Sequence, residues 1–237
     1  ASDVYKRQPI TMLAEASEKP ANFIGMHFFS PVDRMPLVEL ICGKETSDAT
    51  LAKSFDFVRQ IKKTPIVVND SPGFFTSRVI ITYLDEGIRL IHEGYSAQRI
   101  DHLGQAVGMP LGPLAIHDET SLQLTMKILQ AWETLKISSP VGDTSIVREV
   151  LSNLIDNYGR GGRHHGGGFY EYTGKGEKHI WDKLPSLYQR DDCEATDEEI
   201  KDRLLFRPVI ESLKCVETGV LRSAADGNIG SIMGIGA

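Results

Sequence analysis

The sequence predicts an α/β segment followed by an all-α region, and three observations carry that prediction. Short apolar runs bounded by turn residues, NFIGMHFF (22–29), PLVELIC (36–42) and TPIVVND (64–70), flank one amphipathic stretch, the pattern of strands around a crossover helix. After Asn69 the strand signals stop and long runs with helical spacing take over. A helical unit then recurs. RVIITYLDEGIRLIHEGYSAQRIDHLGQAVGMP from Arg78 aligns with RLLFRPVIESLKCVETGVLRSAADGNIGSIMGIG from Arg203, matching Arg78 to Arg203, Gly94 to Gly219 and Asp101 to Asp226 at one offset.

Each element has a local reason. The strands at 22–29 and 36–42 are separated by the turn-rich SPVDRM, so they read as neighbours in a sheet. SDATLAKSFDFVRQIKK opens on Ser47, whose hydroxyl can cap a helix, and carries Leu51, Phe55 and Val58 at helical spacing. A long helix is predicted over SPGFFTSRVIITYLDEGIRLIHEG, opened by Ser-Pro-Gly and closed by Gly94. SAQRIDHLGQAVG is a second helix, residues 117–136 a third and residues 144–157 a fourth. GRGGRHHGGGFYEYTGKGEKH reads as a glycine-rich surface loop. TDEEIKDRLLFRPVIESLKCVETG then opens the repeated unit, with Pro208 expected to kink or restart the helix. The expected domains are 1–69, 70–170 and 171–237, the last a linker with a truncated second helical copy.

Bulk properties narrow the function. The 237 residues carry 41% hydrophobic and 24% charged residues and a formal charge of −6, which offers no basic face for a nucleic-acid backbone. No run approaches the roughly 18 apolar residues of a membrane span, and no signal peptide is visible. Cys42, Cys193 and Cys215 are far apart and form no CxxC pair, which points to a reducing, cytoplasmic setting without disulfides or a metal site. The opening ASDVYKRQPI lacks an initiator Met. Its VYKRQ is expected to be a translated transposon end from library preparation, joined to native protein near Pro9.

GMHFFSPVDRMPLVELI (25–41) sets a histidine and a glutamate inside apolar runs, where either polar group alone is costly to bury. In a hairpin, opposed residues have a constant sum of positions, so pairing Phe28 with Val38 puts His27 directly across from Glu39, about 5 Å apart at Cβ. A carboxylate there satisfies the ring and holds the tautomer that leaves its far nitrogen free to take a proton. The spacing alone leaves two readings open, a structural pair and a general base. Asp118, Glu119 and His117 in HDETSLQL are expected at a helix start, where acids favour the dipole. Asp85 and Glu86 are expected to be solvated, as are His164 and His165.

NFIGMHFFSPVDRMPLVELI followed by NDSPGFFTSRVIITYLDEGIRLIHEG resembles the 3-hydroxyacyl-CoA dehydrogenase family, in particular the dehydrogenase part of multifunctional fatty-acid oxidation enzymes, from about Pro9 onward. The resemblance implies the C-terminal end of a Rossmann-type NAD-binding domain, then a helical C-terminal domain and a truncated second copy. It implies NAD as cofactor, an acyl-CoA substrate, and assembly as a homo-oligomer or with a thiolase in a β-oxidation complex. His27 matches the histidine that takes the hydroxyl proton, and Glu39 the carboxylate that orients it. Ser30 falls at the cofactor-contacting position, usually Asn. Ser77 falls where the family usually has a substrate-binding Asn, so its shorter side chain departs from the pattern. Lys6 stands where the family has a serine, and no role is carried over to it.

No GxGxxG turn follows a strand here, so the pyrophosphate site of the family would lie upstream, and the chain by itself is expected to bind NAD poorly. GRGGRHHGGG lacks the preceding strand of a phosphate cradle. The competing readings are a non-catalytic scaffold or dimerisation protein on the same fold and a related dehydrogenase of another hydroxy-acid.

Overall fold

The computed structural model describes residues 9–134, 136, 138–173 and 177–236. The suspected junction and Lys6 lie outside the described residues. The chain divides into two compact units, one formed by residues up to Ile80 with those from Ile210 onward, the other by Ile81–Val209.

The first unit is built on a three-stranded sheet of β1 (Gly25–Phe28), β2 (Leu37–Cys42) and β3 (Thr64–Asn69), in that order. β1 and β2 pair antiparallel, with Phe28 opposite Val38 and His27 opposite Glu39, the register expected from the sequence. β2 and β3 are parallel. Parallel neighbours need a crossover, which is supplied by α2 (Asp48–Gln60), capped where Ser47 accepts from the Thr50 N–H at 3.2 Å. Every residue of β2 is buried. Val38, Leu40 and Val58 centre the packing of α2 on the sheet, with Met26, Phe28, Leu51 and Phe55 around them.

The edge of β3 is covered rather than left as a row of free backbone groups. Asn69 N donates to Val220 O at 2.8 Å, and the Asp226 carboxylate of α10 (Ala224–Gly230) accepts from Val67 N at 3.2 Å. The short α1 (Ile10–Ala14) is held by Asp70, whose two oxygens accept from Ile10 N and Thr11 N.

The helical unit contains most of α3 (Thr76–Glu93), then α4 (Ala97–Ala106), α5 (Pro113–Thr120), α6 (Leu122–Thr134), α7 (Ser145–Ser152), a two-stranded β4 (Tyr170–Tyr172) and β5 (Lys178–Ile180), and α8 (Leu184–Tyr188). α9 (Asp197–Glu217) is a single helix with Pro208 inside it, so no restart occurs there. α3 begins five residues after Ser71, because Gly73 and Phe74 both adopt positive φ and turn the chain first.

Four features of this unit correct or add to the sequence expectations. The third helix is two helices, broken at Ser121, whose φ of +77° cannot continue a helix. His117 and Asp118 therefore sit at the C-terminal half of α5, not at a helix start. They are buried, and Asp118 accepts from Phe169 N, Tyr170 N and the Tyr172 hydroxyl. Second, the N-terminus of α5 is capped by Asp101, which accepts from Leu114 N and Ala115 N at 2.9 and 3.0 Å and from the Tyr170 hydroxyl at 2.6 Å. Gly112 makes that approach possible, since a Cβ there would meet Asp101 at 2.2 Å.

Third, GGGFYEY is not a surface loop. Phe169 and Tyr170 are buried, and a Cβ on Gly168 would fall 1.8 Å from an Asp118 oxygen. The glycines admit a carboxylate and the Arg160 guanidinium, which donates to Gly168 O and Tyr170 O. Fourth, Asp85 and Glu86 are buried rather than solvated. Asp85 pairs with Arg89 and Arg207, and Glu86 with Arg203, so the acidic face of α3 is matched by arginines of its own and of α9. His164 and His165 are exposed, as expected.

Burial raises both Asp101 and Asp118 from 3.8 to about 6. A carboxyl whose pKa is higher in the fold binds more protons folded than unfolded, so its contribution to stability falls as pH rises from about 4 to about 6 and is level above. Denaturation midpoints measured across that window should slope less in Asp118→Asn than in the wild type, because one of the two titrating groups is gone.

Candidate active site

Glu39 is the centre of the site. Its side chain is 0% exposed in the middle of the fully buried β2. A lone carboxylate in that position would carry a heavy desolvation cost. Four donors offset it. Oε1 accepts from the backbone N–H groups of Phe75 and Thr76, each at 3.0 Å, and Oε2 accepts from the Thr76 hydroxyl at 2.7 Å and pairs with His27 Nδ1 at 2.7 Å.

The local sequence explains how those donors arrive. Gly73 at φ +78° and Phe74 at φ +54° reverse the chain just before α3. Consecutive residues of this kind aim successive N–H groups at one point. The positive end of an 18-residue helix thus meets a carboxylate, the arrangement that the helix dipole favours. Phe74, a non-glycine held at positive φ, packs its ring 5.9 Å from that of His27. The Phe29 ring lies 4.6 Å from the His27 ring, tilted by 43°.

An ionised carboxylate only accepts hydrogen bonds, so Nδ1 of His27 is the donor and the proton sits there. Nε2 is then unprotonated and lies on the edge of the ring away from Glu39. The His27 side chain is 29% exposed, so the ring is within reach of a ligand. An imidazole fixed in this tautomer can take a proton from a hydroxyl within hydrogen-bond reach.

The other expected residues stand around this pair. Ser77 follows Thr76 in the first turn of α3, half-buried, and its hydroxyl makes no hydrogen bond among the described residues. Ser30 is exposed on the loop after β1, preceding Pro31 through a cis peptide bond. Sequence reasoning missed Thr76 and the two backbone donors. Thr76 opens the observed helix, where a hydroxyl and free N–H groups coincide, whereas the sequence pattern opens that helix at Ser71. Among the described residues no cluster of His, Cys, Asp or Glu could hold a metal ion.

For a dinucleotide the described residues supply one end only. His27, Phe29 and Ser30 set an imidazole, a phenyl ring and a hydroxyl at the end of β1 and just beyond it, groups whose chemistry suits a nicotinamide. A pyrophosphate cradle is not found in the glycine-rich 159–168 stretch, because the N–H groups of Phe169 and Tyr170 just past it already donate to Asp118, and Arg160 fills the space beside Gly167.

Comparison with known proteins agrees with this geometry. Residues 7–71 match the model of the 3-hydroxyacyl-CoA dehydrogenase NAD binding domain, and residues 73–172 match that of the C-terminal domain of the same family. The chain belongs to the 3-hydroxyacyl-CoA dehydrogenase family. Its fold is accordingly part of a Rossmann-type NAD-binding domain followed by the helical C-terminal domain of that family.

The chain is 39% identical over 236 residues to a fatty acid oxidation complex subunit alpha of Shewanella frigidimarina, covering 96% of this chain and 32% of that protein. It thus spans about a third of the length of the curated relatives it matches. The solved (S)-3-hydroxybutyryl-CoA dehydrogenase of Ralstonia eutropha is 34% identical with a TM-score of 0.63, covering 71% of this chain and 58% of that one. The Escherichia coli 3-hydroxybutyryl-CoA dehydrogenase, at 18% identity, shares the fold with a TM-score of 0.73 over 97% of this chain and 64% of that one.

The family's histidine site has a spectroscopic consequence here. In Glu39→Gln the amide oxygen can keep the Phe75 and Thr76 N–H bonds, which turns its NH2 toward Nδ1. Nδ1 must then accept, and the ring proton moves to Nε2. Nitrogen-15 shifts of His27 should report that exchange of tautomers, while Glu39→Ala, which strands the donors, should lower stability by about 3–5 kcal/mol in urea unfolding.

Proposed function

We propose that the chain is the dehydrogenase part of a multifunctional fatty-acid oxidation protein, catalysing NAD-dependent oxidation of a (S)-3-hydroxyacyl-CoA to the 3-oxoacyl-CoA. The observation that carries this reading is the His27–Glu39 pair at the N-terminus of α3, with Nε2 turned outward. NAD, when bound, supplies the hydride acceptor.

His27 Nε2 takes the proton of the substrate's 3-hydroxyl as the carbon–hydrogen bond at the same carbon gives up its electron pair. Charge that develops on the ring is met across the 2.7 Å contact by Glu39, whose carboxylate is itself fully buried. Thr76 and the Phe75 and Thr76 N–H groups keep that carboxylate from rotating. Ser77 offers an unengaged hydroxyl to the substrate, and Ser30 one to the nicotinamide end. The residues that would hold the pyrophosphate are not among those described.

The proposed domain plan assigns 1–69 to the NAD-binding domain, 70–170 to the helical domain and 171–237 to a linker and a truncated second helical copy. Ion pairs support the duplication. Arg78 pairs with Glu211 and Arg203 pairs with Glu86, and the offset that carries Arg78 to Arg203 also carries Glu86 to Glu211. Such reciprocal contacts are those of two equivalent surfaces meeting about a two-fold axis. α3 and α9 also share a glycine of positive φ after the last turn, Gly94 and Gly219. A thiolase partner or a homo-oligomer belongs to the same proposal. So does the cytoplasm, which fits the three free thiols. Among the described residues no helix is long and apolar enough to cross a membrane.

The reading is tested in the longer enzyme containing this segment, by following NADH formation with 3-hydroxyacyl-CoA substrates. His27→Gln should lower kcat about 10²–10⁴-fold with little change in the KM for acyl-CoA. Wild-type turnover in that variant would remove His27 as the base.

A further inference from the structure

The loop between β1 and β2, residues 29–36, carries Ser30 and joins the strand of His27 to the strand of Glu39. Much of it is exposed, and within it Arg34 N and Met35 N share one acceptor, Pro31 O. Its fixation comes from the far side of the sheet. Lys63 Nζ donates to Val32 O and to Met35 O, each at 2.6 Å, and the next residue's N–H, Thr64 N, donates to Pro36 O at 2.8 Å. Among the described residues no other side chain outside the loop bonds to it. Lys63 is placed there by the end of α2, where Lys62 takes φ +59° and Lys63 N donates back to Val58 O.

We infer that Lys63 is a positioning residue: by gripping two carbonyls of the β1–β2 loop it sets the Ser30 hydroxyl for the nicotinamide end of the cofactor. The inference rests on the dehydrogenase reading above. Most surface lysines trail a solvated ammonium, whereas this one converges on two acceptors at the short distances of charge-assisted hydrogen bonds. The loop carbonyls could turn to water without it, so what the clamp supplies is a single loop conformation. His27 does not depend on it, because Glu39 and Phe74 hold the ring from outside the loop. Loss of the clamp should therefore weaken cofactor binding and spare the proton transfer.

The test uses Lys63→Met, Lys63→Arg and, as a control that removes the same charge one residue away, Lys62→Met. In the longer enzyme, Lys63→Met should raise the KM for NAD about tenfold, with kcat and the KM for acyl-CoA nearly unchanged. Lys63→Arg should recover most of the loss, and Lys62→Met should behave as wild type. On the 237-residue chain itself, tryptic cleavage after Arg34 should be faster in Lys63→Met than in Lys62→Met or the wild type. An unchanged KM for NAD in an active Lys63→Met enzyme, an equal rise in Lys62→Met, or an unchanged cleavage rate overturns the inference. A wild type without NAD-linked turnover overturns the dehydrogenase reading instead, and the cleavage rates then still decide the clamp.

Discussion

The structure around the site depends on one buried carboxylate. Glu39 lies in a strand whose every residue is buried, and its charge is tolerable only because four donors from two other elements meet it. β1 supplies the imidazole, and the first turn of α3 supplies two N–H groups and a hydroxyl. Satisfying Glu39 therefore fixes the register of β1 on β2 and the point at which α3 can begin. The left-handed pair Gly73 and Phe74 is part of the same constraint, since a helix started directly from Asp70 would aim its free N–H groups elsewhere. Strain at Phe74 is retained because the contacts around it over-determine the turn.

The same device recurs twice in the helical unit without chemistry. Asp101 takes the first N–H groups of α5 and the Tyr170 hydroxyl, while Asp118 takes the Phe169 and Tyr170 N–H groups and the Tyr172 hydroxyl. Each is a buried carboxylate that accepts two backbone donors and a phenol, and each pins one segment against another. Glu39 differs in one respect. Its fourth donor is an imidazole whose opposite edge meets solvent, so the charge that organises the fold also organises a group able to accept a proton. Stability and function share one residue here, and the distinction lies in the partner rather than in the acid.

Two kinds of information were legible in the sequence. The His27–Glu39 pairing was legible because a hairpin through SPVDRM with Phe28 opposite Val38 sets the two residues directly across from each other. Ser47 as a cap and Gly94 as a helix stop followed from local chemistry. What failed were judgements on isolated charged residues. Asp85, Glu86 and Asp118 carry no local sign that arginines of a helix more than a hundred residues away, or amides of a distant loop, will satisfy them. Ser121 carried no sign of a break either, since serine is compatible with a helix and its positive φ is imposed by packing. The glycines of 159–168 suggest a surface loop, whereas at Gly167 and Gly168 a Cβ would meet the Arg160 guanidinium or the Asp118 carboxylate. A run of small residues beside aromatic ones is better read as room made for a buried polar partner.

The two sides of the His27 ring divide the requirements of the proposed reaction. On the Nδ1 side everything is bonded, with Thr76 and two amides locking the carboxylate that locks the ring. The hydroxyls of Ser30, on the loop after β1, and of Ser77, in the first turn of α3, are not engaged by the protein among the described residues. A base must be held before the substrate arrives, while groups that read the substrate must still have hydrogen bonds to give. The order Thr76-Ser77 gives the inward hydroxyl to the carboxylate and leaves the next one free, and on a helix consecutive residues point about 100° apart, so one turn serves both tasks. Under the proposed reaction, serine in place of the family's usual asparagine shortens that reach, so a 3-hydroxyacyl group would have to come closer to α3 or be met through a bridging water.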